Sequence, residues 1–293
     1  MARTYVGISG WTYKGWRGVF YPPKLPHRRE LEYAAQRMNS VELNGSFYSL
    51  QRPSSYRSWF AQTPEDFVFS VKGPRFITHM KKLRDIDAPL SNFLASGVLA
   101  LGHKLGPLLW QLPPNLGFDA GRLADFFSRL PRTTAHAAVI AERHEERLQD
   151  RAWTVTDADR PLRHALEVRH ASYETLAFVD LLREYDVALV TADTAGKWPF
   201  LEDLTSDFVY VRLHGDEELY VSGYSEESLD AWAAKVLPWS RGEDPATARR
   251  VAPPSPPRSG GRDVFVYFDN DVKVRAPYDA MSLARRVGAV PPT

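Results

Sequence analysis

Charged side chains that could bind or transform an anionic ligand recur in strand-like stretches of this sequence. Residues 164–170 show the pattern clearly. Leu166 and Val168 share one face of the predicted strand, whereas Glu167 and Arg169 share the other. Similar alternation elsewhere gives a set of five charged residues at strand ends: Glu42, Lys72, Glu167, Arg169 and Arg212. The pattern predicts a polar cluster at one end of a sheet.

Two histidines could move protons in such a cluster. His170 and His214 lie at strand ends beside an arginine, and an imidazole titrates near neutral pH. We therefore expect these histidines and the five charged residues to be the catalytic groups. Further polar and aromatic residues near strand ends are expected to bind substrate: Trp11, Tyr13, Asn44, Tyr48, His79, Gln111, Asp193 and Asn270.

Strand and helix patterns alternate along the chain and decide where those residues lie. The predicted strands are residues 4–9, 40–44, 67–72, 105–112, 164–170, 187–193, 208–214 and 263–270. Helical spacing occurs over residues 30–38, 55–62, 92–101, 123–130, 173–185, 225–236 and 280–287. Eight strands that alternate with helices predict a parallel, closed (β/α)8 barrel of the TIM type, with the helices outside. An open doubly wound sheet is the alternative, but residues 7–11 lack its usual Gly-rich phosphate loop.

The whole chain, residues 1–293, is expected to form one domain. Residues 238–262 are rich in Pro, Arg, Ser and Gly, and another strand-like stretch follows them. We therefore interpret this segment as a mobile insertion and not as a linker to a second domain. The charged residues 142–151 are predicted to form a surface insertion.

Composition limits the classes of partner. Lys and Arg number 37 against 36 for Asp and Glu, giving a net charge of +1, which does not favour binding to long nucleic acids or anionic membranes. The chain has no cysteine, so disulfides, thiolate catalysis and Cys-ligated metals are excluded. No stretch approaches the ~20 apolar residues of a membrane span, and no apolar leader opens the chain. We expect a cytoplasmic protein; the sequence leaves its oligomeric state open.

A set of short motifs is spread in order along the chain. The motifs are Gly10-Trp11-Thr12-Tyr13, Trp16-Arg17-Gly18 with Phe20-Tyr21-Pro22, Val41-Glu42-Leu43-Asn44 with Phe47-Tyr48, Val71-Lys72-Gly73-Pro74-Arg75 with Thr78-His79, Gln111-Leu112-Pro113-Pro114, Glu167-Val168-Arg169-His170, Arg212-Leu213-His214-Gly215 and Tyr267-Phe268-Asp269-Asn270-Asp271. Together they resemble the DUF72 family over nearly the whole chain. The resemblance implies a TIM-type barrel but no activity, since the family is defined as one of unknown function. The segment 238–262 is long for the family, and Ala171-Ser172-Tyr173 stands where Pro-Ser-Trp is common.

The charged cluster also has a purely structural interpretation. Glu42 and Glu167 could neutralise Lys72, Arg169 and Arg212 in a buried ionic plug that orders the barrel. We favour a functional site because apolar residues normally fill barrel interiors and buried charge is costly. The ring-rich loop after the first strand has a similar alternative, a small satellite core under a long loop.

Three functions remain open. The favoured one is a hydrolase for a phosphate-bearing ligand, such as a nucleotide, a sugar phosphate or a nucleic-acid end, with Lys72, Arg169 and Arg212 holding the anion. The second is a glycoside-type hydrolase with Glu42 and Glu167 as its carboxylate pair, which requires ~5–9 Å between them. The third is a non-catalytic barrel that binds a small anionic ligand.

A divalent metal is a further option for the strand ends. The residues that could ligate it are Glu42, Glu167, His170, Asp193 and His214. The lysine and arginines of the same cluster would disfavour a cation there, and no His-Glu-x-x-His motif occurs. We therefore expect neither a metal nor another cofactor.

Overall fold

The computed structural model describes residues 2–270 and 272–289, which form a closed barrel of eight parallel strands. Each strand pairs with the next in sequence, and the last pairs with the first. The strands are β1 Thr4–Ser9, β2 Ser40–Leu43, β3 Val68–Lys72, β4 Leu105–Gln111, β5 His164–Glu167, β6 Ala188–Asp193, β7 Phe208–Leu213 and β8 Asp263–Phe268. The predicted (β/α)8 barrel is confirmed, although the predicted strand 164–170 ends earlier, at Glu167.

Alternate residues of each strand point into the barrel, and the buried polar groups there pair with one another. The hydroxyl of Tyr210 lies 2.6 Å from the Ser70 hydroxyl, and that of Tyr267 lies 2.7 Å from the Ser40 hydroxyl. These pairs satisfy hydroxyl groups that burial would otherwise leave without water. Residues two positions further along each strand therefore face the carboxyl-terminal mouth of the barrel.

Helices cover the outside of the barrel. They are α1 Glu30–Ala35, α2 Gly45–Tyr48, α3 Pro53–Ala61, α4 Asp87–Ala95, α5 Ala120–Arg129, α6 Thr134–Ala141, α7 Leu176–Glu184, α8 Glu226–Ser240 and α9 Ala276–Val287. Side-chain caps fix several of their starts, as when Ser225 accepts a hydrogen bond from the Ser228 amide at the start of α8. None of the helices in the described part of the chain is both long and apolar enough to cross a bilayer.

One predicted helix and one predicted surface insertion differ in detail from the structure. The predicted helix 92–101 begins earlier, as α4, and stops before Gly97, whose φ of 117° ends it. A side chain at this glycine would lie 2.6 Å from the Cα of Pro53, so the chain turns there and continues as a short 3-10 segment. The charged stretch 142–151 contains the 3-10 turn Glu146–Arg151, and Leu148 within it is buried.

The connection between β6 and β7, residues 194–207, contains no helix. It instead carries the buried carboxylates of Glu202 and Asp203. Asp203 accepts hydrogen bonds from the backbone amides of Val251 and Ala252 at 3.1 and 2.9 Å, and Glu202 accepts one from the amide of Arg249 at 2.8 Å. Residues that follow α8 therefore cover the connection that lacks a helix.

Residues 238–262, predicted to be a mobile insertion, begin inside α8, which continues through Pro238 to Ser240. Trp239 is fully buried, and the Arg262 guanidinium donates to the backbone oxygen of Gly242 at 2.7 Å. These contacts argue that the segment is packed against the barrel. Its mobility stays a prediction, which proteolysis tests below.

Candidate functional site

A cavity of about 540 Å³ opens at the carboxyl-terminal mouth of the barrel. It is lined by Tyr13, Asn44, Phe47, Tyr48, Lys72, Arg75, His79, Gln111, Arg169, Tyr220 and Asp269. A larger groove of about 880 Å³ adjoins it and shares the wall formed by Phe47, Tyr48 and Arg75. No residue that lines the groove comes from a strand, whereas the cavity collects polar groups from several strand ends. The cavity is therefore the candidate site.

Arg212 of β7 is the centre of a buried ion network beneath the cavity. Its Nη1 lies 2.6 Å from Glu167 Oε2, and its Nη2 lies 2.8 Å from Asp269 Oδ2. Its Nε and Nη2 donate to the two carboxylate oxygens of Glu42 at 3.0 and 2.8 Å. One fully buried guanidinium thus joins carboxylates carried by β2, β5 and the residue after β8.

Glu42 has no hydrogen-bonding capacity left for a ligand. Besides Arg212, it accepts hydrogen bonds from the hydroxyls of Ser9 and Tyr210, the latter at 2.7 Å. Its side chain is fully buried. A carboxylate with four donors and no exposed surface fits the structural interpretation of the cluster; a catalytic role for Glu42 stays a prediction.

Glu167 is buried as well and links Arg212 to Arg169. Although burial alone would raise the pKa of Glu167, Arg169 and Arg212 hold that pKa well below its usual range. Arg169 donates to Glu167 at 2.7 Å and stacks on the ring of Trp198, whose centroid lies 3.9 Å from its guanidinium carbon. The tight pairing of Arg169 fixes its position on the cavity wall.

His214 lies below the cavity and contacts the network on both sides. Its Nε2 lies 3.2 Å from a donor nitrogen of Arg212, and its Nδ1 lies 3.1 Å from Asp269 Oδ2. Burial and the neighbouring Arg212 charge lower the pKa of His214. Since Arg212 has no acceptor atom, Nε2 is the acceptor and the neutral imidazole carries its proton on Nδ1, which is near Asp269 but not aligned for a hydrogen bond. His214 is fully buried and does not line the cavity.

Asp269 brings a negative charge to the edge of the cavity. Burial would raise the pKa of Asp269, but Arg212 and His214 outweigh it and lower the pKa to about 2. The side chain remains 16% exposed, in contrast to Glu42 and Glu167. Asp269 is therefore the one carboxylate of this network that also lines the cavity.

Lys72, the last residue of β3, lines the cavity without a counter-ion of its own. Among the described residues, its amine has neither a hydrogen-bond nor an ion-pair partner, and it lies 4.4 Å from the centre of the Phe47 ring. Burial and the charge of Arg212 lower the pKa of Lys72 to about 8. Gly73 follows directly, and a side chain there would lie 2.3 Å from the Trp110 ring, so the chain leaves β3 along one fixed path.

His79 lies in a π-helical turn, Phe76–Met80, at the cavity wall. Its Nδ1 lies 2.9 Å from the hydroxyl of Thr78, and its ring packs edge-on against Phe47. Burial and the charge of Lys72 lower the pKa of His79 to about 4, so its imidazole is neutral at pH 7. Single π-helical turns occur frequently at functional sites.

The other predicted substrate-binding residues divide into two groups. Tyr13, Asn44, Tyr48 and Gln111 line the cavity. Oδ1 of Asn44 is buried and has no hydrogen-bond partner among the described residues, so it is available to a ligand or water. The predicted substrate-binding residues Trp11, Asp193 and Asn270 lie outside the cavity lining, as does His170, which was predicted to be catalytic.

Local contacts account for the four outside residues. Trp11 packs edge-on against Trp59, and exposed His170 caps the turn at Ser172. Asp193 accepts a hydrogen bond from the Tyr224 hydroxyl at 3.0 Å. The amide nitrogen of Asn270 donates to Asp279 at 2.8 Å and to the backbone oxygen of Ser222 at 3.0 Å.

Sequence reasoning missed several groups that line the cavity. Asn270 was predicted to be a site residue and Asp269 was not, although Tyr267 faces inward and strand alternation places Asp269 on the same side. Arg75 and Phe47 stood within the motifs but were given no role. Tyr220, which packs edge-on against His214, follows β7 in a loop whose sequence carries no periodic signal.

No group of three or more acidic or histidine side chains within residues 2–270 and 272–289 is arranged to hold a metal ion. The carboxylates nearest the cavity are instead held by Arg212 and Arg169.

Comparisons with known proteins agree with this architecture. Residues 5–292 match the family described as "Protein of unknown function DUF72". The Escherichia coli K12 protein named UPF0759 protein YecE is 25% identical over 82% of this chain and 84% of its own length. The Bacillus subtilis UPF0759 protein YunF is 32% identical over 38% of this chain and 40% of its own.

Solved structures show the same fold. A DUF72 family protein from Thermotoga maritima superposes with a TM-score of 0.72 at 24% identity, covering 98% of this chain and 99% of the other. A DUF72 family protein from Enterococcus faecalis gives a TM-score of 0.70 at 15% identity, covering 99% of each chain. The family match extends over nearly the whole sequence, including Asp271 of the last motif, which lies outside the described residues. The chain belongs to the DUF72 family.

Proposed function

We propose that the cavity binds a small phosphate-bearing ligand and that the protein hydrolyses a phosphate ester held there. The observation that carries this proposal is the placement of Lys72. Its amine lines the cavity without an acceptor from the described part of the chain, while Arg212 below takes all three nearby carboxylates. A bound phosphate would supply the missing counter-charge.

Two further cations support an anionic ligand. Arg75 is exposed on the cavity wall, and Arg169 is fixed by Glu167 and Trp198. The carboxylates of Glu42 and Glu167 are buried below the cavity, and of these cations only Arg169 is paired with one of them, Glu167. Asp269 also lines the cavity, and its negative charge would repel an anion, but the ion pair between Asp269 and Arg212 offsets that charge.

Aromatic rings form the remaining walls and suit the organic part of such a ligand. Tyr13, Phe47 and Tyr48 line the cavity, and Tyr48 is 72% exposed. A flat base or a sugar could stack on rings of this kind. The ligand class that fits is a nucleotide or a sugar phosphate.

In the proposed hydrolysis, a water molecule attacks phosphorus and gives one proton to the neutral imidazole of His79. The bond from phosphorus to the leaving oxygen breaks, and the Lys72 ammonium protonates that oxygen. Arg75 and Arg169 offset the charge on the remaining phosphate oxygens. Proton exchange with solvent then restores His79 and Lys72.

The glycoside-type alternative finds little support in this geometry. Its two carboxylates, Glu42 and Glu167, are both buried and both bound to Arg212. With the pKa of Glu167 held well below its usual range, this group is a poor general acid.

Calorimetric titration with inorganic phosphate tests the binding half of the proposal. We expect Lys72→Met to weaken phosphate binding by about 10- to 100-fold, as loss of a charge-assisted hydrogen bond would. Lys24→Met, which changes an exposed lysine, is the matched control. Absence of phosphate binding to the wild-type protein, or equal binding by Lys72→Met, would reject the proposal.

Phosphate release from nucleoside monophosphates and sugar phosphates tests the catalytic half. Turnover that falls in both Lys72→Met and His79→Ala supports the assigned roles. Binding without turnover of any ester would instead favour the non-catalytic barrel.

A further inference from the structure

We infer that Lys72 is a nucleophilic lysine that forms a reversible imine with a phosphate-bearing aldehyde or ketone. This inference rests on the proposed function for the phosphate-binding half of the ligand, but not on hydrolysis. It assigns the ligand a second reactive group, a carbonyl carbon held at the end of β3.

The contacts of Lys72 differ from those of Lys104, the other buried lysine of the described chain, and of the partly buried Lys235. The amine of Lys104 donates to the backbone oxygens of Phe60 and Thr63, both at 2.8 Å. The amine of Lys235 is 2.6 Å from Glu202. Lys72 has no such acceptor among residues 2–270 and 272–289; its amine instead lies 4.4 Å from the centre of the Phe47 ring, a weaker partner for an ammonium ion than a carboxylate or a carbonyl oxygen.

The surroundings of Lys72 also favour the neutral amine. Burial lowers the pKa of Lys72, and Arg212 adds positive charge from below, whereas the face of the Phe47 ring favours the ammonium form to a smaller extent. Glu42, Glu167 and Asp269 act in the opposite direction, but Arg212 binds all three. With a pKa of about 8, about a tenth of the Lys72 amine is neutral at pH 7, far more than for an exposed lysine.

The position of Lys72 suits covalent chemistry. It ends a barrel strand, and Gly73 packed against Trp110 fixes the chain that follows. The amine is therefore held on a rigid element, with only 7% of the residue exposed, and that surface faces the cavity. Arg75 and Arg169 on the same walls could hold the phosphate while the carbonyl reaches Lys72.

The chemical step conserves atoms and charge. The neutral Lys72 nitrogen attacks the carbonyl carbon, a C–N bond forms as the C–O π bond breaks, and one proton passes from nitrogen to the carbonyl oxygen to give a carbinolamine. The C–O bond then breaks as the hydroxyl takes up a proton and leaves as water, and loss of the second nitrogen proton leaves the imine. His79 and Asp269 line the same cavity and can relay these protons. The addition of water reverses the reaction, so no oxidant or reductant is required.

Reductive trapping tests the inference on the wild-type protein. Pyridoxal 5′-phosphate, which carries both an aldehyde and a phosphate, is mixed with the protein and reduced with borohydride, and peptide mass spectrometry locates the label. We expect Lys72 to be labelled at least about tenfold faster than exposed Lys24, with Lys104 unlabelled. Labelling of Lys72 no faster than Lys24 would overturn the inference.

A parallel labelling with pyridoxal, which lacks the phosphate, distinguishes phosphate binding in the cavity from imine formation by Lys72. If both aldehydes label Lys72 equally and inorganic phosphate gives no protection, the nucleophilic lysine stands and phosphate binding fails. If calorimetry shows phosphate binding but neither aldehyde labels Lys72, the imine is rejected and phosphate binding stands. Preferential labelling by the phosphorylated aldehyde, blocked by inorganic phosphate, supports both.

Discussion

The guanidinium of Arg212 donates hydrogen bonds to both carboxylate oxygens of Glu42, from Nε to Oε2 at 3.0 Å and from Nη2 to Oε1 at 2.8 Å. The two residues come from β7 and β2, on different sides of the barrel. The structural interpretation of the charged cluster therefore applies to its buried part, and the functional interpretation applies to the part that lines the cavity. A buried ion network forms the floor, and the cavity lies above it.

Removal of Arg212 should destabilise the fold. Arg212→Ala leaves the Glu42 carboxylate buried without a cation and Glu167 with Arg169 alone, and we expect a loss of about 3–5 kcal/mol in the free energy of unfolding. Urea denaturation measures it. Arg75→Ala, an exposed arginine of the cavity wall, should change stability by no more than about 0.5 kcal/mol. Equal stability of the two variants would contradict a structural role for the network.

Replacement of Lys72 should change how stability depends on alkaline pH. The pKa of Lys72 is about 8 in the folded protein and about 10.4 in an unfolded chain, so the unfolded state binds more protons between these values. Wild-type stability relative to Lys72→Met should rise as the pH increases from 8 to 10 and be constant below about pH 7. Urea midpoints across this range test it, and a flat difference would show that Lys72 is not perturbed.

Asp269 should contribute to stability in the opposite pH range. Its pKa of about 2 lies below the unfolded value of about 3.9, so its contribution is complete above pH 4 and is lost as the pH falls through 2. The stability difference between wild type and Asp269→Asn should shrink over that interval. Denaturant unfolding at pH 2 to 5 measures it; a difference independent of pH would contradict the pairing with Arg212.

The packed state of residues 238–262 is open to two measurements. Asp203→Ala removes the acceptor for the amides of Val251 and Ala252, and we expect it to lower stability by about 1–3 kcal/mol. Asp180→Ala, an exposed acid of α7, is the control. Trypsin should cleave slowly after Arg249 in the wild-type protein and faster in Asp203→Ala. Rapid cleavage of both proteins would instead support the mobility expected from composition.

Alternation in the sequence predicted the barrel because it reports which face of a strand is apolar. It placed Glu167 and Arg212 inside correctly, since each lies an even number of residues from an inward-facing neighbour. The choice of Asp193 ignored this parity: Val190 and Ala192 face inward, so Asp193 points to the other side. The same parity would have selected Asp269 in place of Asn270.

One sequence could not predict how deep each side chain lies in the mouth of the barrel or which partner it binds there. His214 and Lys72 both occupy inward positions, yet only Lys72 reaches the cavity. The difference depends on Arg212, which takes its partners from strands far apart in the chain. Such pairings depend on how the closed barrel brings distant strands together, and local periodicity carries no record of them.

Residues 249–252 cover the β6–β7 connection, and this has a consequence for the synthesis of the chain on the ribosome. Glu202 and Asp203 emerge some fifty residues before the amides of residues 249–252 that bind them. Until that later segment has left the exit tunnel, two acidic side chains destined for burial stay in water, and this side of the nascent barrel cannot close. Completion of the fold is thus tied to the last quarter of the chain, which also supplies β8, the partner of β1.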